Sequence, residues 1–130
     1  MKNKIIFAAS LLMATAVILG ALGAHALKSR LQPDALLSFE TGVRYHLIHG
    51  IALLVLALLT DHLGDKKVKT LAILFTSGIL CFSGSIYLLA TRPLYGMEGQ
   101  LKFLGPITPL GGVLFIIAWI LLAVYALKRK

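Results

Sequence analysis

The chain has 130 residues, of which 58% are hydrophobic and only 14% charged, with a mean hydropathy of +0.90; soluble domains carry about a quarter charged residues, so a water-soluble globule is excluded. A net charge of +8 would suggest nucleic acid as the partner of a soluble protein, but here the basic residues stand at the ends of apolar runs, where they set topology instead. The single cysteine, Cys81, excludes an internal disulfide and any redox mechanism that needs a dithiol pair.

Residues 5–27, 45–60, 70–91 and 103–127 contain no Lys, Arg, Asp or Glu. Crossing a hydrocarbon core of roughly 30 Å takes about 20 helical residues, so four spans are predicted, at roughly 5–27, 41–61, 69–91 and 104–127. The connecting segments, 28–39, 61–69 and 92–102, are too short for a further domain, so residues 1–130 form one unit. The expected fold is all-α: an integral membrane four-helix bundle running up-down-up-down.

The first span begins after Lys2 and Lys4 and ends near Ala24-His25-Ala26, a pattern that resembles a secretory signal with a small-x-small cleavage site. Its apolar run is longer than a signal core, and it reads as a retained span. Ala16, Gly20 and Ala24 recur at four-residue spacing, with Gly23 nearby, and are assigned to helix packing because helices in lipid associate where small residues let backbones approach. Pro33 and Asp34 make a turn, followed by a short amphipathic run, 35–39, in the membrane interface before Glu40 opens the second helix.

That second helix starts with "FETGVRYHLIHG", residues 39–50, a dense polar run at the entrance of an apolar span. Gly42, His46, His49 and Leu53 share one helical face turned toward the bundle. Glu40 and Arg44 lie elsewhere and can pair at i, i+4, worth about 0.3–0.5 kcal/mol if exposed; Arg44 is also suited to an anionic ligand. Gly64-Asp65 supplies the next turn. In the third helix Ser77, Cys81, Gly84 and Leu88 form the expected packing stripe. The fourth opens with Pro106-Ile107-Thr108-Pro109 and Gly111-Gly112, poor helix composition that predicts a kinked first turn.

Lys2, Lys4, Lys66, Lys67, Lys69, Lys128, Arg129 and Lys130 fall on one side of this topology; Lys28, Arg30, Arg44, Arg92 and Lys102 fall on the other. Eight against five places both termini in the cytoplasm. The polar residues of all four helices then converge in the extracytoplasmic half. His25, Glu40, Arg44, Tyr45, His49, Ser83, Ser85, Tyr87 and Thr108 line an expected pocket there, with Gly20, Gly23, Ala24, Gly84, Gly111 and Gly112 packing the helices. His46, nearer the water, is read as incidental.

"GALGAHAL", Tyr45 and His49 in "GVRYHLIHG", "FSGSIYLL" and "ITPLGGVLFIIAW" together resemble, in order, the signature stretches of the YgdD/YwdK-like family of small bacterial four-span inner-membrane proteins of unknown function. The resemblance covers nearly the whole chain and implies a multi-pass protein of the bacterial plasma membrane. Gly23, His25, Tyr45, His49, Ser83, Gly84, Ser85, Tyr87, Thr108, Pro109, Gly111 and Gly112 match its pattern. His46 does not, which argues against a three-histidine metal site.

The expected function is an accessory or assembly protein without chemistry of its own, or one that binds a lipid or small ligand in the pocket. No catalytic residue, metal or cofactor is assigned, and the partners are membrane lipids, with a homo-oligomer open. The alternative is a small oligomeric transporter or channel, which lacks the membrane-embedded carboxylate that proton coupling requires, Glu40 being interfacial. A haem or metal held between His25 and His49 stands third.

Overall fold

A computed structural model describes residues 1–128 as four antiparallel membrane-length helices, each apolar enough to span. Arg129 and Lys130 of the expected basic C-terminus lie outside the described residues. Helix α1 (Lys2–Ala24) is followed by α2 (Pro33–Leu58), the single turn α3 (Thr60–Leu63) and α4 (Asp65–Gly78). A π-helical segment (Ile79–Gly84) joins α4 to α5 (Ser85–Thr91), and α6 (Ile107–Leu127) completes the bundle.

Helix α2 starts two turns earlier than the sequence suggests: the run at 35–39 is its first part and not a separate interfacial piece. Gln32 takes the extended backbone of an N-cap, Pro33 sits at the first helical position and Asp34 in the first turn, three signals that favour initiation there. At the other end Gly64, at φ 87°, lets the chain reverse between α3 and α4 in a conformation that strains other residues. Lys2 and Asp61, 3.6 Å apart, tie the start of α1 to this reversal.

Helix α2 and the third span occupy the middle; α1 lies against α2, and α6 against α4 and the π segment. Half of the most apolar stretch of α2 is buried, against 17% in α1 and α6, whose remaining faces meet the acyl chains. The core runs through Ala9, Leu53, Leu56, Val68, Leu71, Phe75 and Phe115, with a smaller cluster of Phe39, Val43 and Ala90 near the start of α2.

Two packing expectations are corrected. In α1 the buried small residues are Ala9, Ala16 and Gly23, at seven-residue spacing; Ala24 is exposed. A seven-residue repeat keeps contact with a neighbour along a shallow crossing, whereas a four-residue repeat drifts around the helix. In the third span the buried face is Gly78, Ile79, Ser83 and Ser85, while Leu88 is 50% exposed and a Cβ on Gly84 would meet nothing within 4 Å. The π segment is the reason, since its wider turn rotates every later side chain away from the face an unbroken α-helix would present.

The irregularity expected at the head of α6 is not there. Helix α6 begins at Ile107, so Pro109 falls in the first turn, where backbone amides have no intrahelical acceptor and a missing N–H breaks nothing. The break sits in the third span instead, against α6. A Cβ on Gly111 would run into the Phe82 amide nitrogen and come within 2.8 Å of the Cys81 carbonyl carbon, backbone that cannot swing aside, whereas one on Gly112 would have 3.8 Å to its nearest neighbour. Gly111→Ala therefore destabilises by about 1–3 kcal/mol through overpacking, while Gly112→Ala is neutral or stabilises by up to about 1 kcal/mol. Reversible unfolding in mixed micelles measures the difference; equal effects would disprove the close approach.

Candidate functional site

Each polar side chain inside the bundle has to be satisfied by protein, since hydrocarbon offers no hydrogen bonds. His49, 3% exposed, shows how closely this is met. Trp119 of α6 has only an indole N–H, which donates to Nε2 of His49 at 3.0 Å. The proton of the neutral ring must then be on Nδ1, which donates to the Tyr45 carbonyl one turn back at 2.7 Å. The imidazole also stacks on Phe115, with centroids 3.6 Å apart and planes 9° from parallel. His49 thus faces inward as its helical position predicts, with both nitrogens engaged.

His46 is not incidental. It is 3% exposed, and its Nδ1 lies 2.9 Å from the Tyr87 hydroxyl, linking α2 to α5. Its Nε2, buried beside the Leu12 backbone of α1, has no hydrogen-bond partner of good geometry. The position matched no family signature, but the shared spacing with Gly42, His49 and Leu53 did put it on the buried face.

The serines also hold helices together. Ser83 donates to the Gly42 carbonyl at 2.7 Å, a bond across two spans made possible by the π turn that carries it. The Ser85 and Thr108 hydroxyls meet at 2.5 Å, joining α5 to α6, and Thr108 also donates to the Leu104 carbonyl. Tyr45, 39% exposed, covers Phe82 at 4.7 Å with its ring at the rim of this interior.

The remaining expected pocket residues are elsewhere. His25 caps the end of α1 and is exposed, so it does not meet His49, and the pairing that a haem or metal would require is not formed. No group of three His, Cys, Asp or Glu side chains among the described residues is placed to hold a metal ion. Glu40 and Arg44 are both exposed, and Lys2–Asp61 is the only ion pair among the described residues. Their expected i, i+4 pairing is absent because a water-facing pair gains too little to hold two long side chains in one geometry.

A groove does open at this end of the bundle, displaced from the histidines. Its volume is about 440 Å³, within the range of small-molecule sites. One wall is Asp34, Ser38 and Thr41 of α2; the other is Ile86, Leu89 and Ala90 of α5, with Thr108 of α6 at the margin. Of the expected pocket residues only Thr108 lines it. Asp34 and Ser38 fall in 33–39, which in sequence reads as a turn and an interfacial run, and Thr41 lies in the predicted span but away from the His46 and His49 face. The i, i+4, i+7 spacing of these three, a polar stripe along one helical face, is the signal that would have found them.

Comparison with known proteins agrees with this architecture. A family described as Protein of unknown function (DUF423) matches residues 19–112. The UPF0382 membrane protein YwdK of Bacillus subtilis is 46% identical over 114 residues, covering 87% of each chain. The UPF0382 membrane protein of Haemophilus influenzae is 40% identical over 131 residues, covering 100% of this chain and 98% of its own length. UPF0382 membrane protein SAB0533 of Staphylococcus aureus is 39% identical over 113 residues. No solved structure matches the chain. With four spans, and with identity to these membrane proteins along most of its length, the chain belongs to the DUF423 (UPF0382) family of membrane proteins.

Proposed function

We propose that the protein is an accessory protein of the bacterial plasma membrane that performs no chemistry of its own and holds an amphipathic small molecule or lipid in the groove between α2, α5 and α6. The observation that carries this reading is the groove's two-sided character: the carboxylate and hydroxyls of Asp34, Ser38 and Thr41 face the apolar wall of Ile86, Leu89 and Ala90. An amphiphile satisfies both at once, with its polar end against the stripe and its chain against the wall. The interior polar groups support the same reading, because Ser83, Ser85 and His49 are all engaged in holding helices and leave no nucleophile and base aimed at a common point.

A monoacylglycerol carrying a diazirine in its chain tests the groove. Crosslinks should map to 86–90, and the double change Ser38→Leu with Thr41→Leu should lower the yield about tenfold, the equivalent of roughly 1.4 kcal/mol of lost hydrogen bonding. Undiminished crosslinking in that variant would reject the site.

The lysines at 2, 4, 66, 67 and 69 support an orientation with their end of the bundle in the cytoplasm and the groove in the extracytoplasmic half. In a Cys81→Ser background, cysteine at Lys66 should react with an impermeant maleimide only in inverted vesicles, and cysteine at Glu98 only in intact spheroplasts. The opposite pattern would invert the bundle.

A further inference from the structure

The membrane end opposite the groove carries a second feature. At the starts of α1 and α4 a crevice lies between the two helices and reaches Leu53 of α2. Three adjoining cavities, of about 430, 300 and 150 Å³, follow it from the membrane surface inward. All three touch Met1, the outer two share Lys69, and the inner two share Ile5, Ala72 and Thr76. The three cavities therefore adjoin and share walls along the starts of α1 and α4.

At its mouth stand Lys4, Lys66 and Lys69, all exposed. Two neighbouring lysines are already engaged: Lys2 with Asp61, and Lys67 over the Tyr125 ring at 5.2 Å from its centroid. None of the three at the mouth is ion-paired among the described residues. Asp65, the one acid there, lies in the first turn of α4, where the helix terminus answers part of its charge. The two smaller cavities are lined mainly by apolar side chains, among them Ile5, Ala8, Leu53, Ala72 and Ile73, with Thr76, Ser77 and one lysine each, Lys69 or Lys4, beside them.

We propose that this crevice is a binding site for an anionic phospholipid, with the phosphate-bearing headgroup on Lys4, Lys66 and Lys69 and one acyl chain laid between α1 and α4. Charge complementarity selects the headgroup, since basic clusters at the ends of transmembrane helices attract anionic lipid. Depth selects a lipid over a free anion, because the apolar continuation of the site offers a small ion nothing while a chain entering it covers Ile5 and Ala72. The lipid would complete the packing of α1, which otherwise contacts mainly α2.

The test is native mass spectrometry of the full chain in detergent, titrated with phosphatidylglycerol or with phosphatidylcholine of the same acyl chains. Phosphatidylglycerol should be retained at least about tenfold more, and changing all three lysines to Gln should bring that ratio close to one. The triple Lys→Arg variant should keep the preference, which separates loss of charge from loss of folding. Ala72→Phe, with the lysines intact, should lower phosphatidylglycerol retention by filling the acyl seat. Glycerol phosphate without chains should fail to compete at millimolar concentration. Equal retention of the two lipids, a preference that survives the Gln changes, indifference to Ala72→Phe, or full competition by glycerol phosphate would each overturn the proposal.

Discussion

The bond from Trp119 to His49 fixes more of this structure than any apolar contact does. In lipid, moving a leucine from acyl chains to a helix neighbour gains little, so the rotation of a span about its own axis is weakly determined by hydrophobicity alone. An indole N–H aimed at one imidazole nitrogen removes that freedom, because α6 can face α2 in only one way and still make the bond. The same bond dictates which nitrogen of His49 carries the proton, and so makes the Tyr45 carbonyl its acceptor. Phe75 and Phe115 then enclose the imidazole, which is buried, although Trp119 itself stays 43% exposed.

The π segment is what lets the third span serve two neighbours whose demands differ. Before it, α4 presents Val68, Leu71 and Phe75 to the aliphatic core; Ser83 within it and Ser85 just after it reach Gly42 of α2 and Thr108 of α6 respectively. A straight α-helix would carry one stripe through both halves and leave one serine hydroxyl toward lipid. The wider turn also brings the backbone at Phe82 outward against α6, and there Gly111 is required because no side chain fits between the two backbones. A packing requirement on α6 is thus a consequence of hydrogen bonding in the third span.

Much of this was legible from residues alone, and the misses share a cause. Four spans and their connections follow from where Lys, Arg, Asp and Glu are absent, a signal strong enough to survive any local irregularity. His49 pointed inward on helical spacing. An uninterrupted 3.6-residue period from Ser77 to Leu88 fails twice: the buried face of α4 already runs through Phe75 and Gly78 instead of Ser77, and the π turn then shifts the register before Leu88. His46 shows the opposite case: helical spacing alone puts it on the buried face beside Gly42 and His49, although it stands outside the family pattern. His25 and Arg44 were drawn into the pocket by chemistry and by membrane depth, but depth alone does not say on which side of a helix a residue stands.

What distinguishes the outer groove from the histidine interior is the state of its polar atoms. The interior hydroxyls and His49 are bound to other spans, and withdrawing any one of them leaves a polar group stranded in hydrocarbon, a loss of about 1–3 kcal/mol. Those residues therefore act as fasteners, and their chemistry is fully used by the fold. Asp34, Ser38 and Thr41 make no bond to another helix; Thr41 donates only to the Leu37 carbonyl of its own turn. On α2, then, the residues that hold the helices together, Gly42, His46 and His49, are different from those that line the groove, Asp34, Ser38 and Thr41.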